Sequence, residues 1–535
     1  MSLRSVIVTL LASSAVLATP AWAEGLQEAL VSVYDTNPRL LAERARLREI
    51  DESYVQARAQ GRPTIGGTGS IAQSWVNFPG GATVFTAGRP EAAGGEITGD
   101  ISISGRPNDI GLQIVQPLYQ GGRVKALKEQ AKLGVLAARE NLRAQENELF
   151  LSAATAYVDV RRDMEATRIR RNNVRVLMRQ LEAATARFEV GSGTRTDIAQ
   201  SESRLALAEA GLAQADAQLA VSKARFSRLV GHPATVLDTP PIFRLPPSLP
   251  DAIAAARENN PQLIGSYFNE AAGRAAIDVA KAAGRPTVSL SGGVSRQRAQ
   301  LSQLPSIDGA SITAQITVPI YSGGGNTSRR RQAEHAKTRL AFETRDAELA
   351  IDEAVTQIWA QLTASRASLK AAKRQVSAAD LAFEGVTLEQ SVGTRDQLDV
   401  LNAEQETLNA QLSVIEAERN VSVATFQLLS TIGVFDAEGI RLPVDGYVPE
   451  ENFNLIRYQG LTEKMDSYAP NFVKRLGRKI PGQSQKPEKW DEEGRLEILT
   501  EPIKPTSFPP YDPLLDADGD GKNDEIYRSD DSLVD

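Results

Sequence analysis

Apolar residues recur at three- and four-residue steps over two unusually long stretches of the chain. From about Arg123 to Val190, and again from about Asn326 to Val392, this spacing continues without a single proline. Such a period predicts an amphipathic helix whose apolar seam resembles that of a coiled coil. At 1.5 Å per residue, each of these helices would be roughly 100 Å long.

A shorter helical pattern follows each long one, so the chain is expected to form two helix hairpins. The predicted return helices run from about Thr196 to Val230 and from about Asp396 to Ile432. A further helix is expected to open each half at the dipeptides Asn37-Pro38 and Asn260-Pro261, because Asn caps a helix well and Pro fits its first turn. An opening helix and a return helix together match the length of one long helix. We therefore expect them to stack end to end beside it.

Segments with a period of two separate the opening helices from the long ones. They predict strands at Thr64–Trp75, Asp109–Tyr119, Thr287–Arg296 and Ala310–Tyr321. Each is about as long as the nine to eleven residues that a tilted strand needs to cross a bilayer. The alternative is a pair of half-buried hairpins on a soluble core, which is weakened because no helix is left over to cover them.

Two motifs recur at one offset, which indicates a duplicated unit. Gln116–Gly122 is answered by Val318–Gly324, and Gly191 is answered by Gly393, in each case 202 residues later. The Gly-rich segment Asn77–Gly105 is expected to be an insertion in the first copy. The predicted junctions between strand and long helix contain Pro117, Gly121, Gly122, Pro319, Gly323 and Gly324.

These boundaries predict a succession of five parts. Residues 24–230 form the first repeat, 231–250 a linker, 251–433 the second repeat, and 434–535 a polar tail. Ten of the chain's 27 prolines fall in that tail, which is mostly non-periodic and is therefore expected to be partly disordered. The remaining part, residues 1–23, has the pattern of a cleaved signal peptide: Arg4, an apolar run, and Ala21-Trp22-Ala23. The alternative, an anchoring helix, would need about 20 apolar residues.

Four strands cannot close a membrane barrel, because open sheet edges are not tolerated in hydrocarbon and closed barrels begin at about eight strands. The chain is therefore expected to oligomerise. Three copies would supply a barrel of about twelve strands continued by a helical tube, although the residues alone leave a dimer or a tetramer open. The predicted fold class is an α+β membrane protein with an internal two-fold repeat.

Composition removes several classes of function. The net charge is −7 and the isoelectric point is about 5.4, so nucleic-acid binding is not expected. With no cysteine and two histidines, the chain has no thiol nucleophile and few possible zinc ligands. No catalytic constellation is visible either, so neither an enzyme nor a resident cofactor is expected.

One stretch of the tail could bind calcium. Asp516, Asp518, Asp520 and Asp524 occupy positions 1, 3, 5 and 9 of a loop with Gly at position 6, the arrangement that gathers hard oxygen ligands. Position 12 is Tyr527, so the closing Glu of an EF-hand is missing. An unliganded acidic turn remains the alternative.

The paired Asn-Pro helix starts, the motifs Gln-Pro-Leu-Tyr-Gln-Gly-Gly and Val-Pro-Ile-Tyr-Ser-Gly-Gly, and Ser-Val-Gly-Thr-Arg-Asp-Gln-Leu-Asp-Val-Leu resemble the TolC family of outer-membrane export ducts. The resemblance covers about residues 26–433. It implies a homotrimer with a twelve-stranded barrel in outer-membrane lipid and a periplasmic helical barrel. It also implies recruitment by a periplasmic adaptor protein and an inner-membrane transporter, of the ABC class or another.

The resemblance also implies roles for particular residues. Adaptors would meet the helical tips at Gly191, Gly193, Thr194, Arg195, Gly393, Thr394 and Arg395. Glu384 would form a ring of three carboxylates that narrows the pore, with Asp380 one turn earlier as a second ring. The alternative for both is an ordinary solvated charge.

The absence of cysteine means that no lipid-modified Cys anchors the chain. Within the family this favours the ducts of type I, ABC transporter-dependent protein secretion. A multidrug or metal efflux duct is the alternative. A periplasmic coiled-coil scaffold or adaptor without a barrel is the alternative from a different class.

Overall fold

A computed structural model describes residues 23–78, 101–105, 108–298 and 306–458. The predicted signal peptide, apart from Ala23, and the predicted calcium loop lie outside this part of the chain. In the first repeat the elements, in chain order, are α1 Leu26–Thr36, α2 Pro38–Ala59, β1 Thr64–Ile71, β2 Ser74–Phe78, β3 Ile101–Gly105, β4 Asn108–Gln120, α3 Arg123–Glu189 and α4 Arg195–Val230.

The second repeat has the same succession of elements, and its described residues contain no counterpart of the β2–β3 pair. Its elements are α5 Leu249–Asn259, α6 Pro261–Ala282, β5 Thr287–Arg298, β6 Ile307–Thr317, α7 Gly325–Ser391 and α8 Gln397–Ile432, followed by α9 Pro449–Tyr458. The long helices α3 and α7 each have 67 residues, and the return helices α4 and α8 each have 36. Thus the predicted helix hairpins are confirmed.

Several details differ from the sequence prediction. The predicted strand Thr64–Trp75 ends at Ile71, and Trp75 belongs to β2. The short helices α1 and α5 were not foreseen, because each has only 11 residues and so only a brief periodic signal. The last strand ends at Thr317 and not at Tyr321, because Pro319 has no N–H for a sheet ladder. The Gly-rich insertion begins and ends in a small antiparallel pair, β2 with β3.

The main sheet joins the two repeats. Its strand order is β1-β4-β5-β6, with every neighbouring pair antiparallel, and the register of β4 shifts between Pro117 and Tyr119 where it pairs with β5. Apolar side chains on these strands are exposed, among them Ile110 at 69% and Ile312 at 84%. Strands β1 and β6 are the edges of this sheet. None of the described helices is both long enough and apolar enough to cross a membrane.

Both Asn-Pro dipeptides cap a helix and also dock it onto the return helix of the same repeat. The side-chain oxygen of Asn37 accepts a hydrogen bond from the backbone N–H of Arg39, while its amide donates to the carbonyl of Leu229 at 2.8 Å. The side chain of Asn260 likewise accepts at the start of α6 and donates to the carbonyl of Thr431 at 2.8 Å. These bonds hold α2 against the end of α4 and α6 against the end of α8, so that the short helices follow one another end to end.

The largest apolar core lies where the middle of α3 meets the ends of the shorter helices. Phe150, Phe226, Phe426 and Phe435 are all fully buried there, and Phe426 stacks on Phe435 with ring centroids 5.6 Å apart. The hydroxyl of Tyr157 lies within hydrogen-bonding distance of two backbone carbonyls, that of Glu24 at 2.7 Å and that of Asp238 at 2.8 Å. Hence this core ties α1, α3, α4 and α8 together.

The first part of the predicted tail, residues 434–458, is ordered and packs against this core. Side chains of α3 bind its backbone: Asn147 accepts from the N–H of Phe435 at 2.9 Å, and Glu146 accepts from the N–H of Ala437 at 2.7 Å. Helix α9 then lies along α2, where Phe453 packs on Tyr54. No periodic pattern in the sequence predicts this packing, because the side chains that contact the segment lie far away along the chain.

Candidate functional site

The predicted strand–helix junctions are glycine turns in both repeats. Gly121, Gly122, Gly323 and Gly324 all have a positive φ, between 58° and 85°, which favours glycine. A Cβ added to Gly121 would lie 2.7 Å from the carbonyl oxygen of Ala282, whereas one added to Gly323 would meet nothing within 4 Å. The two turns therefore have the same backbone conformation, but a side chain at Gly121 would clash with the end of α6, whereas one at Gly323 would not. Pro117 lies at the bulge of β4 and Pro319 lies after β6.

The first helical tip joins α3 to α4. Gly191 has a φ of 78°, and the hydroxyl of Thr194 accepts from the N–H of Asp197 at 3.2 Å while the Asp197 carboxylate accepts from the N–H of Thr194. This reciprocal capping box satisfies two of the free N–H groups at the start of α4. Gly193 and Arg195 complete the turn, and Val190 beside it is 78% exposed.

The second tip is closed by different side chains. Gly393 has a φ of 84°, Thr394 donates through its N–H and its hydroxyl to the carbonyl of Glu389, and Arg395 forms a salt bridge with the Glu389 carboxylate at 2.9 Å. Here the N-cap of α8 is Asp396. Next to this tip, Val392 is 74% exposed. Each tip thus combines a well-anchored turn with exposed apolar surface, which suits contact with another protein.

The two carboxylates predicted to narrow the pore lie on α7. Asp380 and Glu384 are one turn apart, and both side chains are exposed. A ring needs three copies of each carboxylate, so their role in a constriction stays a prediction. Within the described residues, no group of three or more His, Asp and Glu side chains could hold a metal ion.

A buried carboxyl behind the tips was missed by the sequence analysis. Glu404 on α8 is only 7% exposed, and it accepts hydrogen bonds from the side-chain amides of Asn173 at 3.0 Å and Gln180 at 2.6 Å, both on α3. Burial raises the pKa of Glu404 to about 7, against the opposing effect of the two amide donors. It joins the helix hairpin of one repeat to that of the other.

The sequence does carry a signal for Glu404. Leu401 and Leu408 are buried three residues before it and four residues after it, so that Glu404 occupies a position in the apolar stripe of α8. An acid at such a position implies either burial with hydrogen-bond partners or a local opening of the stripe.

Nearer the core, charged side chains connect the hairpins. Arg419 on α8 donates to Asp159 on α3 at 2.8 Å, and Arg162 on α3 lies 3.5 Å from Glu416 on α8. A groove of about 310 Å³ runs beside this pair. The buried polar contact between the hairpins is therefore made by charged pairs near the core and by two neutral amides with one carboxyl near the tips.

Comparison with known proteins identifies the family. The profile of the family described as outer membrane efflux protein matches residues 29–232 and 252–434. The chain is 31% identical to the outer membrane efflux protein BepC of Brucella suis biovar 1, over 84% of this chain and 94% of that protein. It is 25% identical to the alkaline protease secretion protein AprF of Pseudomonas aeruginosa, over 64% of this chain and 72% of that protein.

The fold agrees with this assignment. The crystal structure of the outer membrane protein VceC of Vibrio cholerae superposes with a TM-score of 0.62 and 19% identity, covering 76% of this chain and 96% of that one. Like the other members, the protein is a channel and not an enzyme, and the soluble-scaffold alternative is excluded. It acts as a homotrimer together with a periplasmic adaptor and an inner-membrane transporter. The chain therefore belongs to the outer membrane efflux protein family, as an outer-membrane export channel with a periplasmic helical domain.

Proposed function

We propose that this channel is the outer-membrane duct of a type I secretion system, in which an ABC transporter exports a protein. The observation that carries this proposal is the similarity to AprF, whose name describes protease secretion. The absence of cysteine from the whole sequence supports it, since no lipid anchor can be attached through that residue. The duct itself is passive and needs no cofactor.

Export of drugs or metal ions is the second candidate. It is favoured by the higher identity to BepC, which is named an efflux protein. The two candidates share the same duct and differ in the inner-membrane transporter and in the cargo. The identity of the recruited transporter therefore distinguishes them.

In this proposal the adaptor docks on the two helical tips. The docking residues are Gly191, Gly193, Thr194, Arg195, Gly393, Thr394 and Arg395. The first tip is held by its capping box and the second by the Arg395–Glu389 salt bridge, so both present a fixed backbone next to exposed Val190 and Val392. A preformed surface limits the ordering cost of binding.

Cross-linking from the tips tests the partners. Because the chain has no cysteine, Thr194→Cys and Thr394→Cys each place a single thiol for a photo-activated cross-linker. In the cells that make the protein, we expect mass spectrometry to identify a periplasmic adaptor in the adduct and an ABC transporter in the co-purified complex. Ser295→Cys, on exposed strand β5, serves as the control and should give neither. Recovery of a drug–proton antiporter instead would contradict type I secretion and support the efflux candidate.

We further propose that Glu384, with Asp380, rings the narrow end of the pore. Three like charges in a narrow mouth attract cations, so that Glu384→Ala should reduce cation selectivity and block by divalent cations in single-channel recordings. Glu343→Ala, an exposed carboxylate farther from the tip of the same helix, is the matched control. Unchanged selectivity and unchanged block in Glu384→Ala would exclude this assignment.

A further inference from the structure

The two helix hairpins, α3 with α4 and α7 with α8, meet along α3 and α8. In the half of this contact that lies towards the tips, the polar links are few. Arg187 on α3 donates to Gln397 at 3.3 Å and Arg204 on α4 donates to Asn402 at 2.8 Å, and both links are exposed to solvent. The bonds made by Glu404 are the buried ones. Any separation of the hairpins near the tips must therefore bring this carboxyl into water.

The surroundings of Glu404 contain hydrogen-bond donors but no compensating charge. Its donors, Asn173 and Gln180, are neutral amides. Burial is the largest cause of the raised pKa, and the only opposing causes are these two bonds. The arginines at the same level are engaged elsewhere: Arg187 with Gln397, Arg204 with Asn402, and Arg171, which forms a salt bridge with Asp216.

The acidic groups of the adjoining turns are also turned away from this site. On α8, Glu406 and Asp399 flank Glu404 along the chain; Glu406 is exposed, and Asp399 pairs with Arg395. On α7, Asp380 and Glu384 are exposed. None of these charges contributes to the pKa shift of Glu404. The proton on Glu404 is thus controlled by whether the hairpins are packed together.

A second observation identifies an acceptor for the hydrogen bond that protonated Glu404 would donate. The side-chain oxygen of Gln180 is buried and has no hydrogen-bond partner, although the nitrogen of the same amide donates to Glu404. A protonated carboxyl can donate one hydrogen bond and accept others, whereas a carboxylate can only accept. Protonated Glu404 can therefore form a cyclic pair with the Gln180 amide, in which the amide N–H donates to the acid and the acid O–H donates to the amide oxygen. The ionised form leaves that oxygen unsatisfied.

We propose that Glu404 is a protonation-sensitive latch between the two hairpins: its neutral form holds α8 against α3, and its ionised form favours their separation towards the tips. The latch acts on the shape of the periplasmic end of the channel, whichever cargo passes through. If the channel proved not to belong to a type I system, the proposed latch would still stand. If the latch failed its test, the type I assignment would still stand.

The direction of the pH effect follows from the raised pKa. The pKa of Glu404 is about 7 when the hairpins are packed, while a water-exposed Glu has the ordinary value of 4.5. The packed contact is therefore most stable below the ordinary value and weakens as the pH rises through 7. Between pH 5.5 and pH 8.5, the ratio of separated to packed hairpins should rise on the order of 30-fold in each protomer.

Distance measurements on the intact trimer test the latch. The natural absence of cysteine allows two spin labels at exposed positions, Ser203→Cys on α4 and Thr387→Cys on α7, with labelled protomers diluted into unlabelled ones. Double electron–electron resonance on samples frozen at pH 5.5 and pH 8.5 then reports the distance between the hairpins of one protomer. In the otherwise unchanged protein, we expect the longer-distance population to grow at pH 8.5.

Three variants in this labelled background complete the experiment. Glu404→Gln, which cannot ionise, and Glu404→Leu, which fills the same stripe with an apolar side chain, should both keep the short distance at both pH values. Glu406→Gln, an exposed carboxylate on the same helix, should respond to pH as the parent protein does. The latch is refuted if the parent protein gives the same distances at both pH values, or if Glu404→Gln shows the same pH response as the parent.

Discussion

The two long helices have the same length and the same glycine start, yet they have different environments. Helix α3 has 19 buried residues, whereas α7 has seven among the same number of positions. Within the protomer, α3 packs against α1, α2, α4, α6 and α8, and α7 packs against α5, α6 and α8. Duplication therefore reproduced the element but not its surroundings.

Several large apolar side chains lie on the exposed side of α7, where contact with water is unfavourable. Phe342 is 72% exposed, Leu349 is 54% exposed, and Leu381 and Leu388 are also exposed along the helix. We expect this edge of one protomer to face another copy in the homotrimer. The difference between α3 and α7 then separates the surface that is covered within one chain from the surface that a neighbouring copy covers.

Individual side chains at corresponding positions of α3 and α7 also differ in their burial. Residues 202 apart occupy the same place in the two helices, and the fully buried Phe150 corresponds to Asp352, which pairs with Arg257 at the surface. Burial raises the pKa of Glu146 to about 7, whereas hydrogen bonds from Tyr267 and Arg345 lower the pKa of its counterpart, Glu348. Four comparisons between the repeats test this interpretation.

The largest effect should come from the core. Phe150→Ala removes a fully buried ring that contacts Tyr34 and Phe435 edge to face, so it should lower the free energy of unfolding by about 3–5 kcal/mol. Phe342→Ala removes a ring that is 72% exposed on α7 and serves as the comparison; it should change this quantity little within one protomer, while weakening the trimer. Chemical denaturation followed by circular dichroism, with native gel analysis of the trimer, measures both. Equal losses in the two variants would contradict the difference in burial.

The next effect concerns pH. Glu146 is partly buried and accepts from the N–H of Ala437, and its raised pKa means that its contribution to stability is complete below pH 4.5 and is lost as the pH rises through 7. The loss should be on the order of 3 kcal/mol. Denaturation at pH 4.5 and pH 8 should show a loss that is about 3 kcal/mol smaller in Glu146→Gln than in the parent protein, where Glu404 contributes to the loss as well.

Glu348 is the matched control for this pH effect. Because its pKa is lowered, its contribution is present above pH 4.5 and is lost as the pH falls, which is the opposite direction. It lies at the surface, so Glu348→Gln should leave the loss between pH 4.5 and pH 8 nearly as large as in the parent protein. If Glu348→Gln abolished that loss instead, the assignment to Glu146 would be wrong.

A smaller effect is expected at the glycine turns. Ala at Gly121 combines a left-handed backbone with a Cβ only 2.7 Å from the carbonyl oxygen of Ala282, whereas Ala at Gly323 has the backbone strain alone. We expect Gly323→Ala to cost about 1 kcal/mol and Gly121→Ala at least about 2 kcal/mol in the free energy of unfolding. Thermal unfolding of the two variants side by side gives the order. A larger loss for Gly323→Ala would show that a neighbouring copy, and not α6, restricts this turn.

The smallest difference should be found at the Asn-Pro caps, where the repeats are alike. Both side chains accept from the first turn of a helix and donate to the end of the return helix at 2.8 Å. Asn37→Ala and Asn260→Ala should each lower the free energy of unfolding by about 1–2 kcal/mol, because each loses a cap and a buried bond. Their losses should agree within about 0.5 kcal/mol, on the scale expected for independent sites. Clearly unequal losses in denaturation experiments would show that the caps do not share one role.

The sequence by itself determined the local features of this protein. The limits of the long helices followed from uninterrupted apolar periodicity and from glycines at 121, 122, 191, 323, 324 and 393, where the chain turns with a positive φ that glycine readily adopts. The Asn-Pro starts and the alternating strands were predictable for the same reason. Because both halves repeat these signals at one offset, duplication and family were readable as well.

Only the tertiary structure decided which copies of these elements are buried. The packing of Val434–Tyr458 depends on bonds such as that between Asn147 and Phe435, which lie 288 positions apart and leave no periodic trace. The burial of Glu404 depends on Asn173 and Gln180, which α3 brings to it from the other repeat. Local patterns specify an element's length and ends, but the free energy of a buried charge or ring depends on which distant neighbour covers it.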